Sequence, residues 1–128
     1  MNATQTQQGI VLFAHGSRDP LWRLPIEAVA KQIQDLSPQT QVMCAFLELT
    51  TPDLPTCVKT LSDSGLSHIA VVPMFLGIGK HAREDLPELM KQLEADYPHI
   101  EFDLRRAIGE EPSLTLAMAQ VALKSIDL

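Results

Sequence analysis

Residues 9–20 read Gly9-Ile-Val-Leu-Phe-Ala14 followed at once by His15-Gly-Ser-Arg-Asp-Pro20. An apolar run this short, stopped by turn-forming residues, is a strand buried on both faces. Similar runs return three times, as Gln41-Val-Met-Cys-Ala-Phe-Leu47, His68-Ile-Ala-Val-Val-Pro73 and Ile100-Glu-Phe-Asp-Leu104. The His68 run also reads as fully buried. The last alternates apolar with polar residues, as an edge strand does.

Helical spacing fills the intervals. Ile26, Val29, Ala30 and Ile33 recur at i, i+3, i+4 and i+7. The same stripe is made by Leu54, Cys57, Val58 and Leu61, by Leu86, Leu89, Met90 and Leu93, and by Leu114, Ala117, Met118 and Val121. Asp19-Pro20, Thr51-Pro52 and Glu111-Pro112 mark helix starts, because proline is tolerated in a first turn. Gly65 is placed to end the second helix. Alternating strands and helices with short connections imply an α/β fold, a parallel sheet with helices on both faces. The order expected is 2-1-3-4, flavodoxin-like. That order puts the topological switch between the first and third strands, and ligands of open α/β sheets bind beyond the carboxyl ends of strands at such a switch.

Composition sets the outer limits. The chain has 128 residues, 45% hydrophobic and 20% charged, which suits one globular domain over 1–128 with residues 1–8 flexible. Cys44 and Cys57 form no close-spaced metal or redox pair, and residues 1–9 lack the basic and apolar regions of a secretory signal. The apolar runs are too short to span a bilayer. A reduced, cytoplasmic setting without a membrane is therefore expected. The net charge of −6 argues against a nucleic-acid partner, which would call for a basic surface.

Position sorts the four histidines. His15 follows the first strand, and His81 follows the third in the loop Phe75-Leu-Gly-Ile-Gly-Lys-His81; both belong to the switch edge. His68 and His99 precede strands and belong to the opposite edge, where hydrogen-bonded structural roles are the ordinary expectation. Glu48 follows the second strand, so two imidazoles and a carboxylate converge on one edge. That set suits a divalent first-row metal and leaves coordination positions open. Arg18, Lys80, Arg83, Arg105 and Arg106 also follow strand ends; together they would bind carboxylates, with Arg23 reaching the same edge from the first helical turn. Met74, Phe75 and Leu76 would offer apolar contact there.

Three segments carry a resemblance. Phe13-Ala-His-Gly-Ser-Arg-Asp-Pro20, then Ala45-Phe-Leu-Glu48 with Thr51-Pro-Asp-Leu54, and Val72-Pro-Met-Phe-Leu-Gly-Ile-Gly-Lys-His81 with Asp85-Leu-Pro87 resemble, in order, the motifs of the small CbiX-type sirohydrochlorin chelatases. The resemblance covers nearly the whole chain. It implies a class II chelatase half-lobe, the two lobes of larger members being supplied here by a homodimer. A flat macrocycle needs two walls to be desolvated. It also implies that His15 and His81 hold the metal and that Glu48 assists as ligand or proton acceptor.

The activity implied is that of a lyase-class metal chelatase. A divalent ion, cobalt, would be inserted as a substrate into sirohydrochlorin on an early-cobalt route to cobalamin, with no organic cofactor. Iron for sirohaem and nickel are the alternatives, since two histidines and a glutamate do not select among these ions. A non-catalytic metal or tetrapyrrole carrier would use the same ligands. A phosphoryl enzyme with His15 as nucleophile fits poorly, because such phosphatases place arginine immediately before the histidine and Ala14 stands there.

Overall fold

The structure, a computed structural model, describes residues 8–126. Residues 1–7 of the segment expected to be flexible lie outside the described residues, and Gln8 opens the first strand. The elements run β1 (Gln8–Ala14), α1 (Leu24–Leu36), β2 (Gln41–Phe46), α2 (Leu54–Asp63), β3 (His68–Pro73), α3 (Lys80–Asp96) and β4 (Glu101–Leu104). A 3-10 turn (Ile108–Glu110) and α4 (Pro112–Leu123) complete the order. The sheet is parallel, in the expected order β2-β1-β3-β4.

Alternation along the central strands divides the core. Val11 and Phe13 point to one face, where Cys57, Val58 and Leu61 of α2 and Leu86, Met90 and Leu93 of α3 cover them. Leu12 and Ala14 point to the other, against Ile26 of α1 and Phe46 of β2. In β3, Ile69, Val71 and Pro73 are buried while Ala70 and Val72 are only half-buried, so its second face is less covered than expected.

Several boundaries differ from the sequence reading. Asp19-Pro20 does not start α1. The Asp19 carboxylate accepts from the Leu21 amide at 2.9 Å, and its carbonyl accepts from the Trp22 amide at 3.0 Å. This Asx turn closes the chain on itself, and the helix begins at Leu24-Pro25. Thr51-Pro52 likewise precedes α2, whose N-cap is Asp53, with Pro55 in the first turn. Helix α3 begins at Lys80 with no proline to announce it, so Lys80 and His81 lie in its first turn rather than in a loop. Gly65, at φ +85°, ends α2 as expected.

The largest difference concerns α4. Its expected stripe is present, yet no residue of the helix is buried. Leu116, Ala119, Ala122 and Leu123 lie between the stripe positions, so the helix is apolar all round and has no single face to commit to the sheet. It packs instead against the 3-10 turn.

Candidate functional site

The carboxyl tips of β1 and β2 are tied together by backbone. The Leu47 amide donates to the Ala14 carbonyl at 2.8 Å, and the Glu48 amide donates to the His15 carbonyl at 2.9 Å. The pairing thus runs past both strands, and His15 and Glu48 leave the sheet side by side. Gly16 follows at φ +109°, a conformation that glycine adopts without steric penalty. Leu49, beyond Glu48, has φ +63°, and the Thr50 amide donates to the Glu48 carbonyl at 2.7 Å, closing a γ-turn around Leu49. A left-handed leucine carries strain of roughly 1 kcal/mol or more, which the surrounding bonds must offset. Thr50 supplies them: its hydroxyl donates to the Ser17 carbonyl at 2.6 Å and accepts from the Ser17 amide at 3.0 Å.

The His15 imidazole is exposed and lies against the Phe75 ring, with centroids 4.3 Å apart and planes tilted by 33°. Phe75 is 4% exposed and meets Phe13 edge-on at 6.2 Å. Phe75 is therefore a core residue that supports an imidazole; it does not offer the open apolar surface expected of it. Leu76, the next residue, is exposed. Gly109 holds this loop in place. Its amide donates to the Phe75 carbonyl at 2.9 Å, and a Cβ there would lie 2.1 Å from the Leu76 oxygen. At Gly77 and Gly79 a Cβ would meet nothing within 4 Å. Met74 is half-buried and turns to the α1 side of the sheet, away from Phe75.

His81 is exposed in the first turn of α3, after the N-cap Gly79. His15 and Glu48 thus leave the tips of β1 and β2, while His81 opens the helix that follows β3, the strand on the other side of β1. Among the described residues no group of three or more His, Cys, Asp or Glu side chains is arranged to hold an ion. The three share an edge without forming a closed cage.

The basic residues fall into separate sets. Arg83, Arg105 and Arg106 line a hollow of about 500 Å³ between α3 and the end of β4, with Ile78 and Leu104. Arg105 pairs with Asp103 at 3.3 Å and Arg106 with Glu111 at 3.1 Å. Both pairs are exposed, worth about 0–1 kcal/mol, so a ligand carboxylate can replace either partner. Arg18 and Lys80 are exposed, and among the described residues neither makes an ion pair. Arg23 does not join them. Its guanidinium bonds Glu27 at 2.7 Å and sits 5.0 Å from the Phe46 ring centroid.

A larger hollow, about 640 Å³, opens at the amino edge between His68 and His99. Size does not make it the site. The His99 ring is engaged with the Ser62 hydroxyl at 3.3 Å, and none of the strand tips reaches it. The residues missed in the sequence were Gly16, Leu49, Thr50 and Gly109. Gly16 was visible in His15-Gly-Ser; the others act through backbone geometry that no local pattern shows.

Comparison with known proteins bears on the family and the fold. The CbiX family profile matches residues 9–125. A sirohydrochlorin cobaltochelatase of Methanopyrus kandleri is 36% identical over 81 residues, covering 63% of this chain and 57% of that protein. The matches thus span less than two thirds of the length of the first curated relatives. A Marinobacter aquaeolei structure described as a CbiX protein of cobalamin biosynthesis superposes with a TM-score of 0.80 at 33% identity, over 92% of this chain and 96% of that one. The sirohydrochlorin chelatase SirB of Bacillus subtilis subspecies spizizenii, in complex with cobalt, gives 0.79 at 28% identity, over 94% of this chain and 51% of that one.

Proposed function

Because this chain belongs to the CbiX family, we propose that it is a sirohydrochlorin chelatase that inserts cobalt, as a divalent ion, into the macrocycle. One observation carries the reading: an exposed imidazole, His15, is braced on the buried Phe75 ring and bonded through backbone to Glu48 at the switch edge of the sheet. An imidazole held there can present a divalent ion while leaving sites free for incoming ring nitrogens.

Insertion exchanges two pyrrole N–H protons for one divalent ion. His15 and His81 hold the ion, and the open arrangement suits a cargo that must leave: a closed anionic cage would retain it. Glu48, beside His15, is a ligand or takes a proton. The guanidiniums of Arg83, Arg105 and Arg106 bind the acidic side chains of the macrocycle, Arg105 and Arg106 by exchanging their surface partners for substrate carboxylates. Arg18 and Lys80 act on the same groups from the tips of β1 and β3. Leu76 and Met74 contribute apolar contact, and Phe75 contributes through His15.

Residues 1–128 act in this reading as one chelatase lobe in the cytoplasm, with no organic cofactor, and a homodimer supplies the second wall over the macrocycle. Insertion kinetics with cobalt, ferrous iron and nickel on sirohydrochlorin test it. Catalysed insertion fastest with cobalt is expected. Binding of tetrapyrrole or metal without acceleration would instead make the protein a carrier, and faster insertion of iron would make it a ferrochelatase.

A further inference from the structure

Resting on the chelatase reading above, we propose that Leu49 is a substrate-positioning residue, whose side chain carries an apolar face of the macrocycle beside the ion held at His15.

Leu49 stands at the crest of the loop after β2, and the residue on each side of it is fastened to the loop after β1. The Glu48 amide donates to the His15 carbonyl at 2.9 Å. The Thr50 hydroxyl donates to the Ser17 carbonyl at 2.6 Å and accepts from the Ser17 amide at 3.0 Å. Between these ties the Thr50 amide reaches back to the Glu48 carbonyl, so the backbone turns sharply at Leu49 itself. Bonds from both sides thus hold the crest against residues 15–17.

For that crest leucine is a poor choice on two counts. Its φ of +63° is one that glycine or asparagine adopts more readily. Burial could offset the strain, but Leu49 is 55% exposed and belongs to neither cluster of core side chains. An exposed leucine alone is ordinary. A strained residue alone can be held by its packing. A leucine that is strained and also left in water has no reason within the fold, and strain maintained by neighbouring bonds at the rim of a site points to function.

The surroundings indicate what covers it. Leu47, two residues earlier, is 49% exposed, and Leu76, just beyond β3, is 73% exposed. The sheet runs β2-β1-β3, so these three leucines stand on the strand tips to either side of the one that bears His15. A hydrated ion or a small carboxylate gains nothing from leucine side chains. A flat conjugated ring gains from each one that it covers. Its carboxylates lie at its rim, where arginine can take them, and its faces are apolar. A ring resting on leucines at both neighbouring tips is held over the imidazole between them, with its nitrogens toward the ion.

Titration of metal-free sirohydrochlorin into the full chain, followed by the absorbance of the tetrapyrrole, tests the proposal. Urea unfolding and sedimentation velocity accompany it on the same variants. Leu49→Asn should raise Kd roughly tenfold, the loss expected when about half of a leucine side chain no longer finds an apolar partner. Its unfolding midpoint should equal or exceed that of wild type, because asparagine tolerates a positive φ. Leu49→Gly, which removes every side-chain contact, should bind as weakly. Leu49→Met keeps the apolar contact and should stay within about twofold of wild type. Leu36→Asn, at the far end of α1 where the leucine is 83% exposed, should bind as wild type. Unchanged affinity in Leu49→Asn and Leu49→Gly overturns the role of Leu49 and leaves the chelatase reading standing. Weaker binding with a lower unfolding midpoint returns Leu49 to the fold, and weaker binding that follows a loss of self-association assigns it to contact between copies; either overturns the proposal. A wild-type chain that does not bind sirohydrochlorin overturns the chelatase reading and this proposal with it.

Discussion

A Cβ on residue 16 would stand 1.7 Å from the carbonyl oxygen of Glu48. Glycine at position 16 is what lets the β1 and β2 tips close on each other, and with them the backbone of His15 and Glu48. Gly16→Ala adds a backbone clash to an unfavourable φ of +109°. It should cost on the order of 2 kcal/mol or more and should abolish insertion. Urea unfolding and an insertion assay check this; a variant of wild-type stability would show that the tips part without cost.

Phe75→Leu keeps most of the core volume but removes the ring on which His15 rests. The loss of aromatic contact should cost about 1 kcal/mol. Insertion should fall more in kcat than in KM, since the imidazole is misplaced while the substrate contacts remain. An unchanged kcat would place the role of Phe75 in the core alone.

His81 and Arg105 are both exposed, so neither alanine variant should change unfolding free energy by more than about 0.5 kcal/mol. Their kinetics should separate. His81→Ala should reduce insertion to the uncatalysed rate, whereas Arg105→Ala should raise KM for the anionic macrocycle with a smaller effect on kcat. Equal effects on both parameters in both variants would contradict the division into ion-holding and substrate-holding residues.

Asp53 caps α2, its carboxylate accepting from the Thr56 amide at 2.9 Å. Hydrogen bonding by Thr56, through side chain first and amide second, holds the Asp53 carboxyl below its ordinary 3.8. A lowered pKa stabilises the fold above the ordinary carboxylate value, and that contribution is lost as the pH falls through the lowered one. Asp53→Ala should cost about 1 kcal/mol at neutral pH, with a smaller penalty in acid. Asp53→Asn should retain the cap and flatten the pH dependence. Unfolding measured from neutral pH into acid decides it.

Burial, followed by the neighbouring Cys44, pushes the Cys57 thiol from 9.0 up to about 11. Burial and Glu27 also raise Cys44. A neutral buried thiol stabilises the fold below the ordinary thiol value, and that contribution disappears as the pH rises from about 9 to about 11. Cys57 should resist thiol reagents at neutral pH until the protein unfolds, and stability should decline through the alkaline window. Rapid labelling of native Cys57 would contradict its enclosure in the core.

Much of the architecture is legible in one dimension, because each part of it is a local pattern. The runs at residues 9–14 and 68–73 are short and apolar enough to read as strands, and both are central in the sheet, although one face of β3 is only half-covered. Helical spacing at Leu54–Leu61 and Leu86–Leu93 predicts the buried faces of α2 and α3, and both are found in the core. The side of the chain on which each motif falls, and so the edge to which His15, Glu48 and His81 belong, follows from their places just beyond strands. Helix starts were less legible. Proline is tolerated in a first turn but does not require one, and the Asx turn at Asp19 delayed α1 until Leu24-Pro25.

The sequence by itself determined which segments are strands and which are helices, and that His15 and His81 follow strands, since hydrophobic periodicity is a local property. The order 2-1-3-4 is an expectation from the α/β pattern that the structure bears out. Only the tertiary structure decided which side chains support which. Phe75 turned inward beneath His15, Arg23 was taken by Glu27, and Gly16 and Gly109 admitted backbone from distant segments. It also left α4 uncovered, because a helix apolar all round has no preferred side until a neighbouring surface supplies one.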